Sequence, residues 1–163
     1  MEKKAFFYDS PIGEIGIAEN GRAVTNLFFG HTVTPAVFRV EETALLRVAG
    51  EQLSEYFAGE RASFSLPLEP EGTAFERSVW KALQTIPYGQ TTTYRGMARL
   101  IGKENACRAV GRANGKNPIS IFIPCHRVIG SDGHLTGYAG GLDTKRYLLQ
   151  LEQAYNKTDG HSF

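Results

Sequence analysis

The strongest chemical signal in the chain is the adjacent pair Cys125 and His126, set between Pro124 and Arg127 in the stretch NPISIFIPCHRV. A thiol beside an imidazole supplies a nucleophile and a base, and the thiolate is the reactive form. The apolar run Ile119–Ile123 reads as a buried strand ending at Pro124. Burial raises a thiol's pKa, and a lone buried cysteine is more often inert packing, so reactivity needs help from neighbours. Successive side chains of a strand point to opposite faces, so the chain must turn at Cys125 for His126 to help it, directly or through a water. Asn117 and Pro118 are candidates to build that turn. A third group must hold the imidazole in one tautomer. The last helix, DTKRYLLQLEQAY, offers Glu152 among leucines, with Asp143 as its expected N-cap, although periodicity alone reads Glu152 as a surface charge.

The elements that must carry these groups lie just upstream. TAFERSVWKALQTIP has Thr73 and Glu76 at capping-box spacing, with Phe75, Val79, Trp80, Leu83 and Ile86 along one side. Trp80 reads as a core anchor. Two short helical patterns follow, TYRGMARLIG and NACRAVGRANG, at helix-turn-helix spacing, with Ala98, Leu100, Ile101, Ala106, Ala109 and Val110 available to pack them together. The net charge of the chain is only +1, but it is unevenly spread. Residues 1–70 hold six Lys/Arg against ten Asp/Glu, and residues 71–163 hold twelve against seven. Between 93 and 127, seven basic residues, among them Arg95, Arg108, Arg112, Lys116 and Arg127, face the single acid Glu104. Such a stripe on a helix pair suits phosphates, although a solvated helical face would look the same by charge alone.

The first half reads as scaffold. KAFFY, GEIGIAE and AVTNLFF are strand patterns separated by turns, with a tight hairpin at ENGR. TALLRVAGEQLSEYFAG is a helix, and ASFSLPL a further short strand. The expected fold is an α/β N-terminal domain over 1–70, a small antiparallel sheet with a helix, and a mainly α domain over 71–163 containing the helix-turn-helix. The boundary lies near PLEPEGT, where prolines and acids interrupt the periodicity.

With 163 residues and 42% hydrophobic content, such domains fold without staples. Cys107 and Cys125 have no C-x-x-C partner, which argues against a disulfide framework and for a reducing, cytoplasmic setting. No signal-peptide pattern and no apolar window of membrane-spanning length is present. His31 has no cysteine or histidine near enough for a metal site.

The segments TTTYRGMARLIG, CRAVGRANGKNP, NPISIFIPCHRVIGSDGHLTGYAGG and LLQLE together resemble the O6-alkylguanine-DNA alkyltransferases, the methylated-DNA-protein-cysteine methyltransferases. The likeness covers about residues 73–155. P-C-H-R-V with Asn-Pro eight residues before the cysteine is a compound signature. The N-terminal half is similar only in length and style.

The resemblance implies that Cys125 accepts an alkyl group from O6-alkylguanine in double-stranded DNA, once and irreversibly, after the base is flipped. It implies that His126 relays the thiol proton through a water, that Glu152 orients His126, and that Asn117 braces the turn. Tyr94 would donate to the departing base, Arg108 would fill the gap in the stack, and Tyr138 would line the alkyl pocket. Binding would be in the minor groove, by a monomer, with cooperativity along DNA left open, as is O4-alkylthymine as a second substrate. No cofactor is implied. Some relatives hold zinc in the N-terminal domain, but this half has no cysteine, so no metal is expected. Cys107 is expected to be a small helix-packing residue.

Two other classes remain open. A lesion-binding protein without chemistry would lack the acceptor cysteine, which is present here. A cysteine hydrolase or acyltransferase built on Cys125, His126 and Glu152 would turn over repeatedly without DNA and need an oxyanion hole, for which the sequence identifies no donors.

Overall fold

Apolar alternation in the first third of the chain produces three antiparallel strands, β1 (Lys3–Tyr8), β2 (Ile15–Glu19) and β3 (Val24–Phe29). The computed structural model describes residues 2–30 and 37–160, without the side chains of 157–160. His31 lies outside the described residues. The chain divides into two units, Met1–Glu71 and Gly72–Phe163.

In the first unit the sheet order is β3-β2-β1-β4, where β4 (Phe38–Val40) runs parallel to β1. Three residues are too few for a periodicity signal; β4 is held by Phe38, which meets the Phe28 ring edge-on at 5.2 Å. The β2–β3 turn closes through the Asn20 amide donating to the Ala23 carbonyl, with Asn20 Oδ1 accepting from the Arg22 and Ala23 amides. Helix α1 (Ala44–Phe57) starts on the Thr43 side chain and packs on β1 and β2. The expected strand in ASFSLPL reduces to one bridge, Val24 to Leu68. Pro67 offers a carbonyl to the Val24 amide but has no N–H to extend the ladder.

The second unit is helical around a two-stranded parallel ladder. It contains α2 (Ala74–Leu83), β5 (Thr92–Thr93), α3 (Tyr94–Leu100), α4 (Cys107–Gly115), a 3₁₀ turn (Cys125–Arg127), β6 (Val128–Ile129) and α5 (Leu142–Gly160). The capping box on α2 is complete in both directions. Trp80 is buried and donates its indole N–H to the Ala113 carbonyl near the end of α4, at 2.8 Å. Its ring contributes about 5 kcal/mol of gross transfer free energy to this core.

Helices α3 and α4 form the expected hairpin, and Met97, Ala98, Val110 and Ala113 bury its seam. Leu100 does not join them: it is 56% exposed, on the outer side of the last turn of α3. Among the described residues no helix is long and apolar enough to cross a membrane.

Candidate active site

The cysteine is presented by turns rather than by a strand. Ile119–Ile123 is buried as expected, but it folds back on itself: the Phe122 amide donates to the Ser120 carbonyl and the Ile123 amide to the Ile119 carbonyl. This places the β-branched Ile121 at φ 74°, a left-handed conformation that such a residue rarely adopts. Pro124, at φ −77° and ψ 64°, is the centre of an inverse γ-turn closed by the Cys125 amide and the Ile123 carbonyl. The 3₁₀ turn then starts with the Arg127 amide donating to the Pro124 carbonyl.

Asn117 holds these turns together. Its Nδ2 donates to the Ile123 carbonyl at 2.8 Å and its Oδ1 accepts from the Ile119 amide at 3.0 Å. Asn114, on α4, donates to the Cys125 carbonyl at 3.4 Å, tying the cysteine to the second helix of the hairpin. Beyond the turn, β6 pairs with β5, so Ile129 lies opposite Thr93. Thr93 caps α3 by accepting from the Gly96 amide, and the next residue is Tyr94. One short ladder thereby joins the exit of the cysteine turn to the start of the helix pair.

Cys125 is 4% exposed, and Ser120 Oγ lies 3.9 Å from its Sγ. Burial pushes the thiol up, opposed by Asn117, Ser120 and the positive charge of Lys145. His126 is buried and its Nε2 lies 2.6 Å from Glu152 Oε2. Burial pulls the imidazole below its ordinary value, with Arg127 and Lys145 assisting and Glu152 opposing. The neutral ring therefore donates Nε2–H to the carboxylate, leaving Nδ1 as the basic nitrogen. Nδ1 has no hydrogen-bond partner among the described residues.

Glu152 is fully buried on α5, contrary to the surface reading of its periodicity. Burial opposes its charge, but hydrogen bonds and charges from His126 and Arg127 outweigh that and hold the carboxyl far below the usual range. Arg127 donates Nε to Oε1 at 2.8 Å and Nη2 to Oε2 at 2.9 Å, and its Nη1 reaches the Ile86 carbonyl at 2.7 Å. The Gly89 amide adds a fourth donor to the carboxylate, at 3.1 Å. Gly89 has φ 79° and a Cβ there would strike the Asn156 side chain, so only glycine delivers this amide.

Arg127 is thereby corrected: it was expected on the DNA-binding surface, but its guanidinium is buried and committed to Glu152 and Ile86, out of reach of a phosphate. Arg95, Arg108, Arg112 and Lys116 are placed on α3, α4 and the residue following α4. Lys116 lies 3.8 Å from Glu76. Cys107 opens α4, half-buried, with a weak contact to the Glu104 carbonyl. Asp143 is not the N-cap of α5. The Lys145 amide bonds the Gly141 carbonyl, so the helix begins earlier and Asp143 pairs with Arg146 in its first turn.

Tyr138 has its hydroxyl buried, and burial together with Cys125 pushes that phenol well up. Three residues near the cysteine escaped the sequence reading: Ser120, Lys145 and Thr136. Lys145 is fully buried and donates Nζ to the Thr136 carbonyl at 3.2 Å and to its Oγ1 at 3.3 Å. Thr136 Oγ1 also shares a hydrogen bond with the Tyr94 hydroxyl. Among the described residues, no group of three His, Cys, Asp or Glu side chains is arranged to hold a metal.

Comparison with known proteins shows the family of the chain. Residues 4–70 match the family of the 6-O-methylguanine DNA methyltransferase ribonuclease-like domain, and residues 74–154 that of its DNA binding domain. A methylated-DNA--protein-cysteine methyltransferase of Methanosarcina barkeri is 53% identical over 90% of this chain and 97% of its own. The chain belongs to the methylated-DNA-protein-cysteine methyltransferase family. The corresponding protein of Mycobacterium tuberculosis is 48% identical over 93% of both chains. A crystal structure of the M. tuberculosis protein in complex with DNA superposes with a TM-score of 0.88 at 47% identity, covering 93% of this chain and 94% of that one. Both segments that define this methyltransferase family are thus present in the chain, one in each unit.

Proposed function

We propose that this methyltransferase repairs O6-alkylguanine in double-stranded DNA by moving the alkyl group to Cys125. The observation that carries the reading is the Cys125–Arg127 turn: it sets the thiol directly before an imidazole whose one nitrogen is bonded to Glu152 and whose other is left basic.

The transfer is a displacement at carbon. The thiol loses its proton, through a water, to His126 Nδ1; the Cys125 S–C bond forms as the alkyl C–O6 bond breaks, and the electron pair leaves on guanine. Tyr94 gives a proton to the departing base, which ends neutral; the Tyr94 oxygen regains a proton from water and His126 releases the one it took, so the net change is one proton from sulfur to base. The reaction is redox-neutral and needs no cofactor. Burial keeps Cys125 protonated until a substrate is seated, which protects the thiol between encounters. Arg127 serves indirectly: by neutralising Glu152 it keeps that carboxylate from holding a permanent proton on His126. The product thioether has no acyl carbon for water to attack, so each molecule acts once.

An alkyl group on O6 is shielded inside a duplex, so the base is flipped at a cost of a few kcal/mol. Arg108 at the start of α4 fills the gap, and Tyr138 lines the alkyl pocket. Arg95, Arg112 and Lys116 bind phosphates. Helix α4 carries small residues, Ala109 and Gly111, which suits close approach in a minor groove with little reading of bases. The protein acts as a monomer, and work on DNA fits a reducing, cytoplasmic compartment in which Cys125 stays a thiol.

Titrating the protein with duplex DNA carrying O6-methyl-labelled guanine tests the reading. It predicts label bound to protein that saturates at one equivalent, and unmodified guanine left in the duplex. Repeated turnover would point to a hydrolase, and binding without transfer to a lesion-recognition protein.

A further inference from the structure

Lys145 is the least expected charge in the second unit. A lysine is almost never fully buried without a paired anion, yet the Nζ of Lys145 bonds two oxygens of one neutral residue, Thr136. Thr136 in turn meets the Tyr94 hydroxyl. The three residues come from α5, the loop before it and the first turn of α3, so the linkage runs from the last helix to the helix pair.

The donor inventory fixes one end of this chain of hydrogen bonds. An ammonium only donates, so Thr136 Oγ1 must accept from Lys145. Either hydroxyl can donate in the bond between Thr136 and Tyr94; the threonine proton cannot go to Lys145, and the Tyr94 oxygen is a hydroxyl acceptor already bonded to it. On its other side the Tyr94 ring faces Gly111 of α4, where a Cβ would make an ordinary contact with it at 3.7 Å.

We propose that Thr136 is a positioning residue for alkyl transfer: anchored by Lys145, it donates its hydrogen bond to the Tyr94 oxygen and leaves the Tyr94 proton free for the departing base. The inference rests on the reading of Tyr94 given above. In that role Lys145 acts through Thr136 and does not itself touch the base.

The test is the single-turnover rate of methyl transfer from O6-methylguanine duplex DNA, measured alongside the DNA dissociation constant. Thr136→Val keeps the shape and removes the hydroxyl. It should slow transfer about three- to tenfold, the range for one hydrogen bond, with DNA affinity unchanged. Thr136→Ser, which keeps the oxygen, should transfer at nearly the parent rate. Tyr94→Phe should be slow, and adding Thr136→Val to it should change the rate less than about twofold, because the hydrogen bond is already gone.

A Thr136→Val protein as fast as the parent, beside a slow Tyr94→Phe, would overturn the positioning role alone. So would a Thr136→Val loss that persists in full on the Tyr94→Phe background, since a purely structural defect acts in both. Tyr94→Phe transferring at the parent rate would instead overturn the reading of Tyr94 on which the inference stands.

Discussion

Arg127 grips both carboxylate oxygens of Glu152, at 2.8 and 2.9 Å, inside the second unit and one residue after the imidazole that the same carboxylate orients. The fork satisfies an anion that His126 alone would have to balance by staying protonated. A neutral His126 can take a proton; an imidazolium cannot.

Arg127→Met should therefore damage both stability and chemistry. Removing one partner of a buried ion pair costs about 3–5 kcal/mol. The midpoint of urea unfolding should fall accordingly. Arg127→Lys should rescue only partly, because an ammonium cannot fork across two oxygens while reaching the Ile86 carbonyl. Salt-dependent DNA affinity of the folded Arg127→Lys protein should match the parent, as befits a guanidinium that is not on the surface.

Glu152→Gln keeps the shape but removes the charge and lets the amide donate to Nε2, favouring the wrong tautomer. Single-turnover transfer should slow by about a hundredfold or more, the scale of lost general-base catalysis. The measurement is the rate at saturating protein, which separates this loss from any change in DNA affinity.

The sign of the pH dependence of stability follows from the same cluster. His126 is depressed below 6.5, so on acidification the unfolded chain takes up a proton first and stability begins to fall below about that pH. Glu152 is depressed below 4.5, so its contribution is complete above that value and is lost as pH falls further. Thermal unfolding should show a Tm that is flat near neutrality, declines from about pH 6.5 and drops more steeply below about 4.5. His126→Asn should remove the upper part of the decline while leaving the lower part.

These groups were unequally legible in the chain. Cys125, His126 and Asn117 sit close together in sequence, and the demand that an imidazole help its neighbour was enough to require a turn there. The turn itself was hidden, because Ile119–Ile123 is as apolar as a strand and its fold-back depends on Asn117 side-chain bonds and a left-handed Ile121. Glu152 was nameable only as an option, since helical periodicity does not distinguish an outward charge from one facing an arginine. Arg127 was misread for the same reason: in a basic stretch, nothing local shows that its partner lies twenty-five residues away. Lys145 and Thr136 left no signal, because a buried lysine is rare and its acceptors belong to a glycine-rich loop. The capping box at Thr73 and the three antiparallel strands needed only local chemistry and were read directly.

Arg95, Arg112 and Lys116 should contribute to DNA binding through phosphates alone. Replacing any one by alanine should weaken binding to damaged and undamaged duplexes equally, and lower the slope of log affinity against log salt by about 0.9 for each phosphate no longer neutralised. Arg108→Ala should behave differently, affecting transfer from a paired lesion more than from a lesion opposite an abasic site, where the base is easier to extrude. Fluorescence anisotropy across a salt series and single-turnover transfer on the two duplexes measure these effects.

The most direct measurement is peptide mapping by mass spectrometry after one encounter with O6-methylguanine duplex DNA. Alkyl transfer to the buried thiol predicts one methyl group per molecule, carried by the sulfur of Cys125, and no methylated product from Cys125→Ala, which should still bind DNA. Methyl groups found on Cys107, or on a Cys125→Ala protein, would contradict it.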